Sequence, residues 1–169
     1  MDASKSFYQY APAADFIVTD EDAADFLQSQ FTNELRPFNV GQAIYGLWLD
    51  VKGKVIADSV VLCEGAEQFR VISECCVGEL IMAHMERHII ADDVEIENGD
   101  STYGFELSAQ AVEALGLECP KSGRFIQIEG GILYSAHDSI YNIVVYAESA
   151  AKLVFEKLTD LGFIEISVS

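Results

Sequence analysis

Basic residues are scarce in this chain. Among its 169 residues, 10 are Lys or Arg against 28 Asp or Glu, a formal net charge of −18 at pH 7. So negative a surface repels phosphate backbones and anionic headgroups, which argues against direct nucleic-acid or anionic-membrane binding. The same excess otherwise serves solubility or life in a salty medium. Long apolar runs are missing too, and none approaches the ~20 residues that span a bilayer. Met1 to Asp15 holds one lysine and no apolar core, so it does not read as a secretory signal, and a cytoplasmic location is expected. None of the four cysteines (Cys63, Cys75, Cys76, Cys119) stands in Cys-x-x-Cys spacing, and the adjacent Cys75-Cys76 pair is poor geometry for one disulfide or one metal. Reduced structural thiols are the expectation. Neither a phosphate-cradling Gly-x-x-x-x-Gly-Lys, a dinucleotide Gly-x-Gly-x-x-Gly nor a hydrolase Gly-x-Ser-x-Gly occurs.

What is present is a folded chain. Apolar residues make up 50% and charged residues 22%, a balance that excludes disorder at a length suited to one domain. Phe16–Thr19 predicts a strand, and Asp20-Glu21-Asp22 then caps a helix with Ala23, Phe26, Leu27 and Phe31 at helical spacing. Strands are predicted at 43–49, 54–62 and 68–73, the first two joined by a hairpin turn in which Gly53 takes positive φ. A helix over 77–90 and a strand at 94–96 follow. The order then repeats: strand 103–107, helix 109–115 stopped by Gly116, strands 125–128, 132–135 and 141–146, helix 148–161 stopped by Gly162, strand 163–168. Each half reads strand, helix, three strands, helix, strand. Hairpin-length links between consecutive strands predict an α+β fold rather than a doubly wound sheet.

Few residues carry chemistry. His84 and His88 lie four apart on one helical face, a spacing that can bind a metal, but no zincin glutamate and no third ligand accompany them. They read as a solvated or capping pair, and no metal is assigned. Asp92-Asp93-x-Glu95 reads as a helix-to-strand turn with exposed carboxylates. Asp58 stands among Val55, Ile56, Val60, Val61 and Leu62, where aspartate is disfavoured; it is either on an outward polar face or held for a partner. Counting back through the Lys52-Gly53 turn brings Tyr45 near enough to share a cleft with it, unless a bulge shifts the register.

Three segments, 26–35 (Phe26 to Leu35), Gly41-Gln42-Ala43 and 49–58 (Leu49 to Asp58), closely resemble the N-terminal folate-binding region of the YgfZ/GcvT family. That family includes the glycine-cleavage aminomethyltransferases and the YgfZ-type tRNA-modification and iron–sulfur assembly proteins. The resemblance runs over about residues 15 to 165 and is specific from Phe26 to Asp58. It implies a tetrahydrofolate-binding fold of two swapped subdomains (pseudo-repeats at about 15–98 and 102–168), with residues 1–169 forming one folate-binding domain. By position, Asp58 matches the folate-contacting aspartate of the aminomethyltransferase Gly-Gly-Ile-x-Asp-Asp strand, and Tyr45 the family's folate-contacting tyrosine. Lys52 and Lys54 either meet the anionic glutamate tail of folate or are simply solvated in the turn. Gly53-Lys54 and Ala57-Asp58, where aminomethyltransferases have Gly-Gly and Asp-Asp, look more like the YgfZ branch. That branch's Lys-Gly-Cys-x-x-Gly-Gln-Glu segment and the C-terminal barrel are missing from these residues, so the sequence reads either as an excerpt or as a short relative like the small subunits of heteromeric sarcosine oxidases. The implied role is a YgfZ-type folate protein, non-catalytic alone, with a protein partner completing the pocket. One-carbon transfer of the aminomethyltransferase kind and a subunit-like interaction module are the alternatives.

Overall fold

A computed structural model describes residues 3–167. The chain divides into two compact units, Ala13–Gly99 and the pair of segments Met1–Pro12 with Asp100–Ser169. In the first, β2 (Ala14–Thr19), β3 (Ala43–Leu49), β4 (Val55–Gly65), β5 (Gln68–Ser73) and β6 (Glu95–Asn98) form a five-stranded sheet in the order β3-β4-β5-β2-β6. Two helices, α1 (Ala23–Gln30) and α2 (Gly78–His88), bury Phe26, Leu27, Ile81 and Met85 in one cluster with Trp48, Val61, Phe69 and Val71. Alternation along β2 places Phe16 and Val18 in this core, and the 3.6-residue period of α1 brings its apolar stripe into the same cluster.

The second unit has a six-stranded sheet in the order β11-β1-β7-β10-β9-β8, from β1 (Ser6–Tyr10), β7 (Tyr103–Leu107), β8 (Arg124–Ile128), β9 (Gly131–His137), β10 (Ile140–Val145) and β11 (Ile164–Glu165). Its core joins Phe7, Phe105, Leu133 and Ile143 to Ala111 and Val112 of α3 (Ala109–Ala114) and to Ala151 and Leu158 of α4 (Glu148–Asp160). The fold is α+β, and the expected order of strand, helix, three strands, helix, strand is observed twice. Several bounds differ from the sequence reading, among them β4, which runs to Gly65 rather than 62. Helix α2 is Gly78–His88 rather than 77–90, because Val77 and Ile89 take non-helical backbone as its caps. The last strand is Ile164–Glu165, and Val168, the expected end, lies outside the described residues.

One strand had no signal. β1 reads Ser-Phe-Tyr-Gln-Tyr, with only Phe7 and Tyr10 buried. It exists through its neighbours: antiparallel to β7 with Phe7 opposite Leu107, and parallel to β11 with Ser6 opposite Ile164. A strand from one end of the chain thus completes a sheet built from the other.

A buried ion cluster crosses the five-stranded sheet. Arg70 Nη1 donates to both Asp15 carboxylate oxygens at 3.0 and 2.9 Å, and Nε to Glu64 Oε1 at 2.7 Å, with all three side chains at most 9% exposed. Among the described residues no helix is long and apolar enough to cross a membrane.

Candidate functional site

The β3–β4 hairpin is built from its turn outward. Asp50 Oδ1 accepts from the Lys52 and Lys54 amides at 2.8 and 2.9 Å, and Gly53 closes the turn at φ 79°. A register shift follows between Trp48 and Leu49, after which Leu47 pairs with Asp58 and Tyr45 with Val60. The shift leaves the faces of the two strands matched. On one face Trp48 is fully buried, and its Nε1 donates to Ser59 Oγ at 2.9 Å. On the other, Tyr45 and Asp58 are diagonal neighbours.

They meet directly. The Tyr45 hydroxyl donates to Asp58 Oδ2 at 2.9 Å, and the Cys76 thiol donates to Asp58 Oδ1 at 3.1 Å. Cys76 lies just past β5, its amide anchored on Ser73 Oγ at 3.1 Å. All three side chains are half-buried. Burial first, and the Asp58 carboxylate second, push the Tyr45 hydroxyl above the usual phenol range, so it stays a donor. A carboxylate offers about four acceptor directions, and two are taken by neutral donors, one on each oxygen. Asp58 is thereby fixed in orientation while keeping capacity for N–H donors of a ligand.

The surrounding sequence holds this hairpin in place. Thr32 and Asn33 cover the outer edge of β3: Thr32 Oγ1 accepts from the Leu47 amide at 2.8 Å and Asn33 Nδ2 donates to the Tyr45 carbonyl at 3.0 Å. Gln28 Oε1 accepts from the Leu35 amide at 2.7 Å and fixes the loop that follows. Gly46 leaves room for the Phe31 ring, which a Cβ there would meet at 2.6 Å.

Lys52 and Lys54 are exposed at the tip of the turn. Lys54 precedes β4 and lies four residues before Asp58, about 13 Å at strand rise, so the structure does not bring the lysines to the Tyr45–Asp58 pair. Cys76 is the residue that sequence reading missed. Its signal was the β4–β5 register: Val60 opposite Ile72 carries the residues just after Ser73 to the level of Asp58. All four cysteines are free thiols, but they are not alike: Cys63 is buried, Cys75 exposed, and Cys76 bonds the carboxylate. Local desolvation and the Glu74 and Asp58 carboxylates push the Cys75 thiol up, away from the reactive thiolate.

The reading of His84 and His88 as solvated is corrected for His84, which is 6% exposed. It packs edge-on against Trp48 with ring centroids 6.0 Å apart, because α2 presents Ile81, His84 and Met85 to the core on the same stripe. His88 is half-buried and does cap: its Nδ1 lies 2.7 Å from the His84 carbonyl oxygen. The turn containing Asp92 and Asp93 is exposed, as expected. Among the described residues no three His, Cys, Asp or Glu side chains converge to hold a metal ion.

Comparison with solved structures identifies the fold. The aminomethyltransferase T of the glycine cleavage system from Bartonella henselae superposes with a TM-score of 0.75 at 13% identity over 95% of this chain. Only 46% of that enzyme is covered, so the chain spans less than half of its length. Heterotetrameric sarcosine oxidase from Corynebacterium sp. U-96, solved with pyrrole 2-carboxylate, aligns over 97% of this chain and 89% of its own matched chain, with a TM-score of 0.64 and 13% identity. No curated protein sequence matches. Residues 6–123, more than half of the chain, match the GCVT N-terminal domain, and the chain belongs to that family.

Proposed function

We propose that this chain binds a reduced folate, tetrahydrofolate or a one-carbon derivative of it, with Tyr45 and Asp58 lining the ligand cleft and Cys76 holding the carboxylate. The observation that carries this reading is the three-residue cluster: Asp58 receives one neutral donor on each oxygen, at 2.9 and 3.1 Å, and keeps its remaining acceptor directions. A pterin ring presents N–H donors that suit a fixed carboxylate acceptor. Lys52 and Lys54, at the hairpin tip, suit the anionic tail of an extended ligand whose ring sits at Asp58. Residues 1–169 then act as one folate-binding domain of two pseudo-repeats, in the cytoplasm.

The role we favour is of the YgfZ type, supporting tRNA modification or iron–sulfur assembly without catalysis by this chain alone and without direct contact to RNA. The net charge of −18 supports the last point. The main alternative is a module of a larger assembly, favoured by the 89% coverage of the matched sarcosine oxidase chain. One-carbon transfer of the aminomethyltransferase kind, with Asp58 as its electrostatic group, is a further alternative.

Calorimetric titration with tetrahydrofolate on wild type and Asp58→Ala separates these readings. Binding with Kd roughly micromolar, weakened about tenfold or more in the variant, is expected. No heat at millimolar ligand overturns the folate assignment for this chain and leaves the interaction module. Aminomethyl transfer in the presence of a lipoylated carrier protein would replace the non-catalytic role with the enzymatic one.

A further inference from the structure

We propose that His84 and His88 form a two-nitrogen half-site for a divalent transition-metal ion, independent of the folate reading. The first observation is an orphan. His84 is 6% exposed, and its Nε2 is a buried polar atom with no hydrogen-bond partner. Such atoms are rare in native interiors, and leaving one unmatched costs about 1–3 kcal/mol. In the tautomer with the proton on Nδ1, Nε2 carries a lone pair, and a ligand that takes it removes that cost.

The second observation is the state of the neighbouring ring. A carbonyl oxygen only accepts, so the 2.7 Å contact to the His84 carbonyl places the proton of neutral His88 on Nδ1. Its Nε2 then carries the lone pair. A metal-binding histidine is usually arranged in this way, one nitrogen donating to a backbone carbonyl and the other facing the metal. The spacing is also right: residues i and i+4 stand one above the other on a helix, and the two ring centroids are 4.4 Å apart, tilted by 38°. The outer torsion of histidine is soft, and bringing His84 Nε2 beside His88 Nε2 takes a rotation about it made against the Trp48 ring.

The third observation is the space. Both residues line a cavity of about 420 Å³ together with Asp50, Ser29 and Thr32. Asp50 uses Oδ1 for the hairpin amides and supplies negative charge at the cavity wall. Among the described residues no third His, Cys, Asp or Glu converges on the pair, so water fills the remaining metal positions and hydrogen-bonds to the polar wall. Nitrogen and oxygen donors of this kind suit Zn²⁺, Ni²⁺ or Cu²⁺ rather than Ca²⁺ or Mg²⁺.

The test uses the full chain and Ni²⁺ or Cu²⁺ alone as probe. Calorimetry should show saturable binding of one ion per chain, tighter for Cu²⁺ than for Ni²⁺, and electron paramagnetic resonance of the Cu²⁺ form should show imidazole nitrogen ligation. His84→Ala risks the fold because the side chain is buried; His88→Ala, at the end of α2, keeps the test alive with helicity checked by circular dichroism. Losing one outer partner of a metal site typically weakens binding ~10–100-fold, and losing a ligand should do at least as much. Cys75→Ser should leave binding unchanged. Wild-type affinity in His88→Ala, loss of binding in Cys75→Ser, or no saturable binding up to about 1 mM would each overturn the proposal.

Discussion

Replacing Arg70 by Met should destabilise the Ala13–Gly99 unit by about 3–5 kcal/mol at pH 7. The magnitude follows from what the substitution strands. Three charge-assisted hydrogen bonds of 2.7 to 3.0 Å tie Arg70 to Asp15 and Glu64, whose side chains are 5% and 9% exposed. Met fills much of the same volume, so the loss is electrostatic rather than a cavity. It leaves two buried carboxylates without their cation, and domain stability is only ~5–15 kcal/mol in total. Trp48 is the sole tryptophan and lies in the same unit, so its fluorescence during urea unfolding reports the relevant transition. Converting the carboxylates as well, in Asp15→Asn/Glu64→Gln/Arg70→Met, should recover much of the loss. A deficit below about 1 kcal/mol at pH 7, or a triple variant no more stable than Arg70→Met, would refute the reasoning.

Tyr45→Phe should weaken tetrahydrofolate binding while changing stability by only about 0.5–1.5 kcal/mol, measured by calorimetry beside thermal unfolding, since one half-buried hydrogen bond is removed. Gly46→Ala drives a methyl into the Phe31 ring against Trp48, and a loss of about 1–3 kcal/mol is expected in denaturant titration. His84 contributes a pH dependence of known sign. Its pKa is lowered in the folded state, so the unfolded chain binds more protons; stability is full above the ordinary histidine value near 6.5 and falls as pH drops below it. Unfolding free energies from pH 8 to 5 in wild type and His84→Gln should differ in slope, the variant being flatter.

The hairpin shows why some of this was legible in sequence. Asp50, Gly53 and the alternation along 43–49 determine a turn and a register by local rules, and Tyr45 and Asp58 fall close together once the count is made. Local rules do not reach β1, whose residues alternate poorly and whose pairing partners lie about a hundred positions away. Cys76 escaped for a similar reason, since its place beside Asp58 depends on a second register, between β4 and β5. His84 was misjudged because helical period alone gives a face, and only packing against Trp48 says whether that face is wet. The stretch from Phe26 to Leu35 was read for its resemblance; in the structure Gln28, Thr32 and Asn33 hold backbone around the Tyr45–Asp58 hairpin.

The unit Ala13–Gly99 leaves the chain where it entered it: the Gly99 amide donates to the Asp15 carbonyl at 2.7 Å. Its two ends therefore form a single point of attachment, and Pro12 and Asp100 are the flanks of an insertion rather than successive stations along a linear path. Tyr45, Asp58, Cys76 and both α2 histidines all travel on that insert. A cassette with adjoining ends is exchangeable, so this group of residues is open to being grafted into another host loop, or traded for another, without cutting a strand of the sheet left behind.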